Sequence, residues 1–342
     1  MHATPLGHLS YHAPPRPHNP RGVERRVGLE VELGGLSLPD TLSVVHAVLG
    51  GRVQTTSRAV GAVHDTPWGK VGVEYDHSIL RDRGYLHALA RLGLIEHPDS
   101  DFAQVVEESL LKVAAEIVPV EVVTPPIPWS RLERLDPLWA ALRAAGAKDT
   151  HASLLYAFGL HLNPELPALD ASTLLSFMRA FLLLEDWLGA VSRLDISRRV
   201  SPFIRAFPEA YRRMVLAPAY APDDARFATD YLKHNPTRNR PLDLHPMLVH
   251  IHGDGIRACM EEAPLVKPRP TFHYRLPNCE LATPGWTPAR DWNRWIAVER
   301  LAHDDGALSA LSSAYLETLD LPLRLGSLGW IDRLHDHFDL PD

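Results

Sequence analysis

The stretch RRVGLEVELGGLSLP, residues 25–39, holds two carboxylates inside an otherwise apolar run. Strand side chains alternate between faces. Val27, Leu29, Val31 and Leu33 therefore share one face, and Gly28, Glu30, Glu32 and Gly34 the other. The first face demands a core, while the second sets two neighbouring negative charges among glycines. A chain carrying such a strand must build a sheet with one greasy face and one face whose charges something else has to satisfy.

Four further segments repeat the pattern. In GKVGVEYD, Val71, Val73 and Tyr75 alternate with Gly72, Glu74 and Asp76. VPVEVVT sets Glu121 against Val120 and Val122, and FGLHLN sets His161 and Asn163 against Leu160 and Leu162. TFHYRLPN sets Thr271, His273 and Arg275 against Phe272, Tyr274 and Leu276. Any one of these segments fits an ordinary solvated sheet face. Together they offer metal-competent side chains and almost no lysine. If they share a sheet, the carboxylates repel, and either protons or cations must neutralise them. Hard divalent cations such as Mg²⁺ or Mn²⁺ favour carboxylate oxygens with an occasional imidazole. Arg275 on the same lining suits a phosphate oxygen, which a guanidinium grips with two parallel hydrogen bonds.

The rest of the chain reads as helices and punctuation. Residues 1–24 are rich in Pro and His, an extended or poorly ordered arm. Asp40 is placed to cap a helix that Gly50 and Gly51 stop. Residues 101–117 have a helical apolar stripe. Ser130 and Glu133 have capping-box spacing at the head of a helix that Pro137 should kink or split and Gly146 should end. A long apolar helix is predicted from about 171 to 195, a proline-punctuated loop region over 200–240, a helix from Pro246, and mostly helix over 286–342. No β-α-β rhythm appears, so the fold class is α+β with a largely antiparallel sheet rather than a doubly wound one. The organisation read from this is an arm, 1–24, a catalytic domain, 25–285, and a C-terminal helical extension, 286–342.

Composition removes several functions. A formal net charge of −7 gives no electrostatic case for nucleic acid or an anionic membrane surface. No apolar run is long enough to span a bilayer, and the first twenty residues lack a signal-peptide core. Two cysteines, Cys259 and Cys279, are too few for a disulfide scaffold and suit a reducing compartment, so a cytoplasmic location is expected. Walker A, GxGxxG, HExxH and GxSxG motifs are all missing. Cys279, Trp292 and Trp295 read as packing residues. His245, His250 and His252 read as unrelated to metal, because helix positions two apart do not share a face.

At these same residues the chain resembles the amidoligase family, which belongs with glutamine synthetase and glutamate–cysteine ligase. The matching pieces are RRVGLEVEL, WGKVGVEYDHSIL, VEVVTPP, FGLHLN, RNRPLDLHPML and FHYRLPNCEL, in the family's order. The resemblance implies a curved sheet of the glutamine synthetase type with helices packed on its outer face. It also implies ATP-dependent joining of a small-molecule or peptide carboxylate to an amine or ammonia through an acyl phosphate, with Mg²⁺ or Mn²⁺.

By that resemblance Glu30 and Glu32 would be split between neighbouring metal sites. Glu121 would be a further ligand with a part in catalysis, and His161 would ligate the metal that grips the nucleotide phosphates. Asn163 would lie on the nucleotide side, and Arg275 would face the transferred phosphoryl group. Asp76 and Ser78 would border the acceptor, and Arg238 and Arg240 would bind phosphate or carboxylate. The wider group has a glutamate two residues before the arginine, where this chain has His273. Either His273 replaces that ligand or a nearby acid such as Glu280 does, and the former is preferred. The rival readings are a metal-dependent hydrolase or phosphoesterase, and a non-catalytic binding protein on a ligase scaffold.

Overall fold

A computed structural model of the chain describes residues 9–75, 119–149, 158–192, 204–320, 325–338 and 340–341. The alternation in residues 26–33 is realised as β1, Arg26–Leu33. Val27, Leu29, Val31 and Leu33 are each at most 1% exposed and point into the core. Around β1 run β2 (Arg52–Thr55), β3 (Val60–Thr66), β4 (Gly69–Tyr75), β5 (Val120–Val123), β6 (Ile127–Pro128), β7 (Leu160–Pro164), β8 (Leu242–Asp243) and β9 (His273–Tyr274). They form one sheet in the order β2-β3-β4-β5-β1-β7-β9-β8, with β6 also pairing with β1. Every pairing is antiparallel.

Helices cover the apolar face. Helix α1, Leu38–Leu49, is capped by Ser37, whose hydroxyl accepts from the Asp40 amide, and not by Asp40 itself. Pro39 in the first turn makes the earlier start possible, since its missing N–H is not needed there. Gly50 ends the helix at φ 69°, a conformation glycine adopts without Cβ strain. The segment after β6 splits as Pro137 requires, into a 3₁₀ stretch, Trp129–Leu135, and helix α2, Asp136–Ala144. No capping box forms at its head: no side chain caps the 3₁₀ stretch, and the Ser130 amide donates to Glu24 at 3.0 Å.

Helix α3, Ala171–Val191, buries 14 of its 21 residues. Phe177 and Phe181 meet Phe272 and Tyr274 on the apolar side of β9, at ring separations of 5.7 and 5.8 Å. Each such fully buried side chain contributes about 1.5–3 kcal/mol of burial free energy. The predicted helix over 101–117 lies outside the described residues.

The 200–240 region is not the loop its prolines suggested. It holds α4, Glu209–Leu216, and α5, Asp224–His234. Pro208 stands at the N-cap position of α4, so a proline there marks a helix start, and the Asp223 side chain caps α5. Buried Tyr211, Val215, Phe227 and Tyr231 form their inner faces. Helix α6 covers His245–His252. The C-terminal stretch holds α7, Ala289–Ala302, α8, Asp305–Leu319, and α9, Leu325–His337. Trp292 and Trp295 are core residues, and Cys279 is fully buried with its thiol pushed up by burial. None of the helices searched among the described residues is long and apolar enough to cross a membrane.

A candidate metal centre on the polar sheet face

Strand register decides which side chains meet. Residues directly opposite each other on neighbouring strands project to the same face. Glu30 pairs with His161 of β7, and Glu32 with Glu121 of β5. Glu121 in turn pairs with Glu74 of β4, and Asp243 of β8 with His273 of β9. One polar face therefore carries Glu74, Glu121, Glu32, Glu30, His161, Asn163, His273 and Asp243. Glu30 and Glu32 are only 9% and 8% exposed, too buried for solvent to satisfy.

Two overlapping triads result, Glu30/His161/His273 and Glu32/Glu121/His161, in each of which one ligand atom per residue lies within 4.8 Å of the others. His161 is common to both. Its Nδ1 lies 3.3 Å from Glu30 Oε2, its Nε2 3.8 Å from Glu32 Oε1, and its Nδ1 4.0 Å from Glu121 Oε1. The His161 and His273 rings meet edge-on at 4.9 Å.

The partners of the triads set their protonation. Asn163 donates Nδ2 to Glu30 Oε1 at 3.0 Å, so its Oδ1 faces His273 Nδ1 at 2.8 Å as acceptor. That places the His273 proton on Nδ1 and leaves Nε2 with its lone pair. Burial, and next the charge of Arg275, push His273 well below the usual imidazole range. Burial alone would raise the Glu30 carboxyl. The imidazoles of His273 and His161 and the guanidinium of Arg269 outweigh it and hold Glu30 well below the usual carboxylate range. Arg269 Nη1 donates to Glu30 Oε1 at 3.0 Å. Glu32 Oε2 accepts the Gly159 amide at 2.6 Å.

The donor set fits a hard divalent cation. It consists of carboxylate oxygens and imidazole nitrogens without a thiolate, as Mg²⁺ or Mn²⁺ prefer. Three carboxylates also stand on adjacent strands where a bound cation would relieve their repulsion.

Beside the triads lies a cationic group. Asp243 is fully buried and accepts from His245, whose Nδ1 is 2.7 Å from Oδ1. Its other oxygen faces Arg275 Nη2 at 3.4 Å and Arg238 Nε at 3.8 Å. Burial opposes ionisation of Asp243, but His245, Arg275 and Arg238 together hold it far below the usual carboxylate range. Burial, and then the charge of Arg275, pull Arg238 down as well. Two guanidiniums and an imidazole converge on one aspartate.

Not every candidate joins this face. Arg240 turns to the helix layer, where it donates to the carbonyls of Arg205, Ala206 and His234 and lies over the Phe207 ring. Those contacts brace α4 and α5 instead of reaching the cluster. Glu280, the other acid weighed against His273, pairs with Arg290 at 2.8 Å. Asp76 and Ser78 lie outside the described residues. The sequence reading missed Arg269, which sits between two prolines off any strand, and Asp243. The latter had a signal in LDL, the same apolar–acid–apolar alternation as VEV.

Residues 23–297 match the model of a family described as "putative amidoligase enzyme". The chain belongs to the amidoligase family. Neither a curated protein nor a solved structure matches it. The family match spans every residue of both triads and the arginines around them, and it begins just short of the end of the N-terminal arm.

Proposed function

We propose that this amidoligase is an ATP-dependent carboxylate–amine ligase that works with Mg²⁺ or Mn²⁺ and forms its amide through an acyl phosphate. The observation that carries the reading is the meeting of Glu30, Glu32, Glu121, His161 and His273 on one buried polar face. We also read the sheet as the curved type of the glutamine synthetase group, with the polar face as its working side.

A carboxylate resists amine attack because its charge and resonance disfavour nucleophiles. Transfer of the γ-phosphoryl group to a carboxylate oxygen makes an acyl phosphate. The amine then attacks that carbonyl carbon, phosphate leaves, and a proton is lost from nitrogen. The products are amide, ADP and phosphate. The protein's part is positioning and charge compensation. Glu30 and His273 would hold one cation and Glu32 and Glu121 another, with the one lone pair of a neutral His161 given to one of the two. When bound, such cations offset charge on phosphate oxygens. Asn163 orients both Glu30 and His273, and the Gly159 amide fixes the Glu32 carboxylate. Arg275 and Arg238, anchored on Asp243, would meet the phosphoryl oxygens.

The test is direct. Incubate the protein with ATP, Mg²⁺ and pooled carboxylates and amines, and follow ADP together with product mass. The expected result is ADP release that needs both substrates, and a product mass equal to their sum less water. Phosphate release from a substrate without ATP would overturn the reading in favour of a hydrolase or phosphoesterase. Nucleotide binding with no turnover on any pair would favour a binding protein.

A further inference from the structure

A cavity of about 380 Å³ opens over Gly28 on the polar face, beside Glu30. That volume lies within the ~300–1,000 Å³ of ordinary small-molecule sites. Its lining combines apolar Val23, Val123, Pro126 and Pro270 with three arginines, Arg21, Arg26 and Arg269. The two acids in the lining are already engaged, Glu30 by Arg269 and Asn163, and Glu165 by the Asn19 side chain and the Arg26 amide. Among the described residues the Arg21 and Arg26 guanidiniums have neither a hydrogen bond nor an ion pair.

The outer part of this lining comes from the N-terminal arm, and it is built rather than draped. Asn19 is 8% exposed; its backbone amide donates to the Val23 carbonyl, and its carbonyl accepts from Gly22, both at 2.9 Å. Its side-chain Oδ1 accepts the Arg21 and Val23 amides at 3.1 and 3.2 Å. Gly22 completes the turn at φ 71°. The turn is anchored at its base by Arg25, which forms two hydrogen bonds to Glu299 at 2.8 and 2.7 Å. Farther up the arm, Trp292 Nε1 donates to the His12 carbonyl at 2.8 Å and Asn293 Nδ2 to the Ser10 carbonyl at 2.9 Å. Exposed Val23, with 46% of its surface free, and Arg21 are thus presented from a fixed turn at the mouth of the cavity.

We propose that the turn from Asn19 to Val23 is a ligand-recognition element, in which Arg21, with Arg26 and Arg269, binds the polyphosphate of a nucleoside triphosphate seated in the cavity over Gly28. A ligand that carries both an apolar ring and several negative charges matches a lining of both kinds. Its phosphates would lie toward Glu30, where the triad Glu30/His161/His273 begins. This rests on the ligase reading for the nucleotide but concerns residues that reading does not use. The family match starts at residue 23, so Asn19 and Arg21 lie ahead of it.

The experiment is calorimetric titration of the full chain in Mg²⁺ with the β,γ-imido analogue of ATP and with adenosine, for the wild type, Arg21→Ala, Arg21→Lys and Arg26→Ala. Arg21 and Arg26 are exposed, so these variants fold, which melting curves check. The expected result is about tenfold or greater weakening of the triphosphate analogue in both alanine variants, partial recovery in Arg21→Lys, and unchanged adenosine affinity. Analogue binding left intact by both alanine variants would overturn the proposal while leaving the ligase reading standing. A wild type that binds no nucleotide would remove both.

Discussion

Glu32 and Glu121 face each other directly across the β1–β5 ladder, two carboxylates in cross-strand register. Like charges in that position cost roughly 0.2–1 kcal/mol per pair, and Glu121 also faces Glu74 on its other side. Without a cation the sheet carries this repulsion at its centre. Millimolar Mg²⁺ or Mn²⁺ is therefore expected to raise the melting temperature, by an amount that grows with concentration as binding to the folded state requires. Glu121→Gln should melt at or above the wild type in chelator and respond less to metal. Scanning calorimetry of both proteins, with and without metal, checks this, and equal metal responses would contradict it.

Activity should depend on the same carboxylates without the fold depending on them. Glu30→Gln keeps an acceptor for Asn163 and Arg269, and Glu32→Gln keeps one for the Gly159 amide. Both variants should retain the wild-type circular dichroism and a cooperative melt. Each should lose more than the ~10–100-fold typical of an outer-shell metal partner in steady-state amide formation. A fully active double variant would sink the metal assignment.

The period-two alternation made the β1 face legible before any coordinates, because a one-residue slip would bury both glutamates and expose four aliphatic side chains. The same logic found Glu121, His161 and His273, since each sits in a strand with an apolar alternate. It could not find Arg269, which reaches Glu30 from a loop 239 positions away, and no local pattern records such a contact. Arg238 and Arg240 look equivalent in RNRPL, yet one lies beside Asp243 and the other over the Phe207 ring. Two helices were hidden because the prolines of 200–240 were read as punctuating a loop, when Pro208 stands at the N-cap position of one helix and the Asp223 side chain caps the other. The arm looked unstructured because its order comes from distant side chains, Trp292, Asn293 and Glu299.

The tether of that arm carries its own expectation. Arg25 and Glu299 are buried, with side chains 3% and 0% exposed, and Glu299 also accepts from Trp295 Nε1 at 2.8 Å. Removing one partner of a buried pair leaves an uncompensated charge and costs about 3–5 kcal/mol. Arg25→Leu should lower stability by that order in urea unfolding. Arg25→Leu combined with Glu299→Leu should recover part of the loss, because neither charge is then stranded. Additive losses in the double-mutant cycle would show that the pair does not act as a unit.

Asp170 supplies a pH dependence whose sign is fixed by its contacts. Its carboxylate caps α3, accepting from the Thr173 amide at 2.8 Å and the Ser172 hydroxyl at 2.6 Å. Partial burial opposes ionisation, but these hydrogen bonds prevail and leave the folded carboxyl below its ordinary value of 3.8. A carboxylate whose folded value is depressed stabilises the protein fully above the unfolded value and loses that contribution as pH falls through the folded one. The Asp170 contribution should therefore be constant from neutrality down to about pH 5 and fade below pH 4. Asp170→Ala should cost about 1 kcal/mol at pH 7, the usual worth of an N-cap, and less than that at pH 3. Asp170→Asn keeps an acceptor without a titrating proton, so its difference from alanine should not vary over the same range. Urea titrations at pH 7, 5 and 3 measure all three, and a cost for Asp170→Ala that grows on acidification would contradict the assignment.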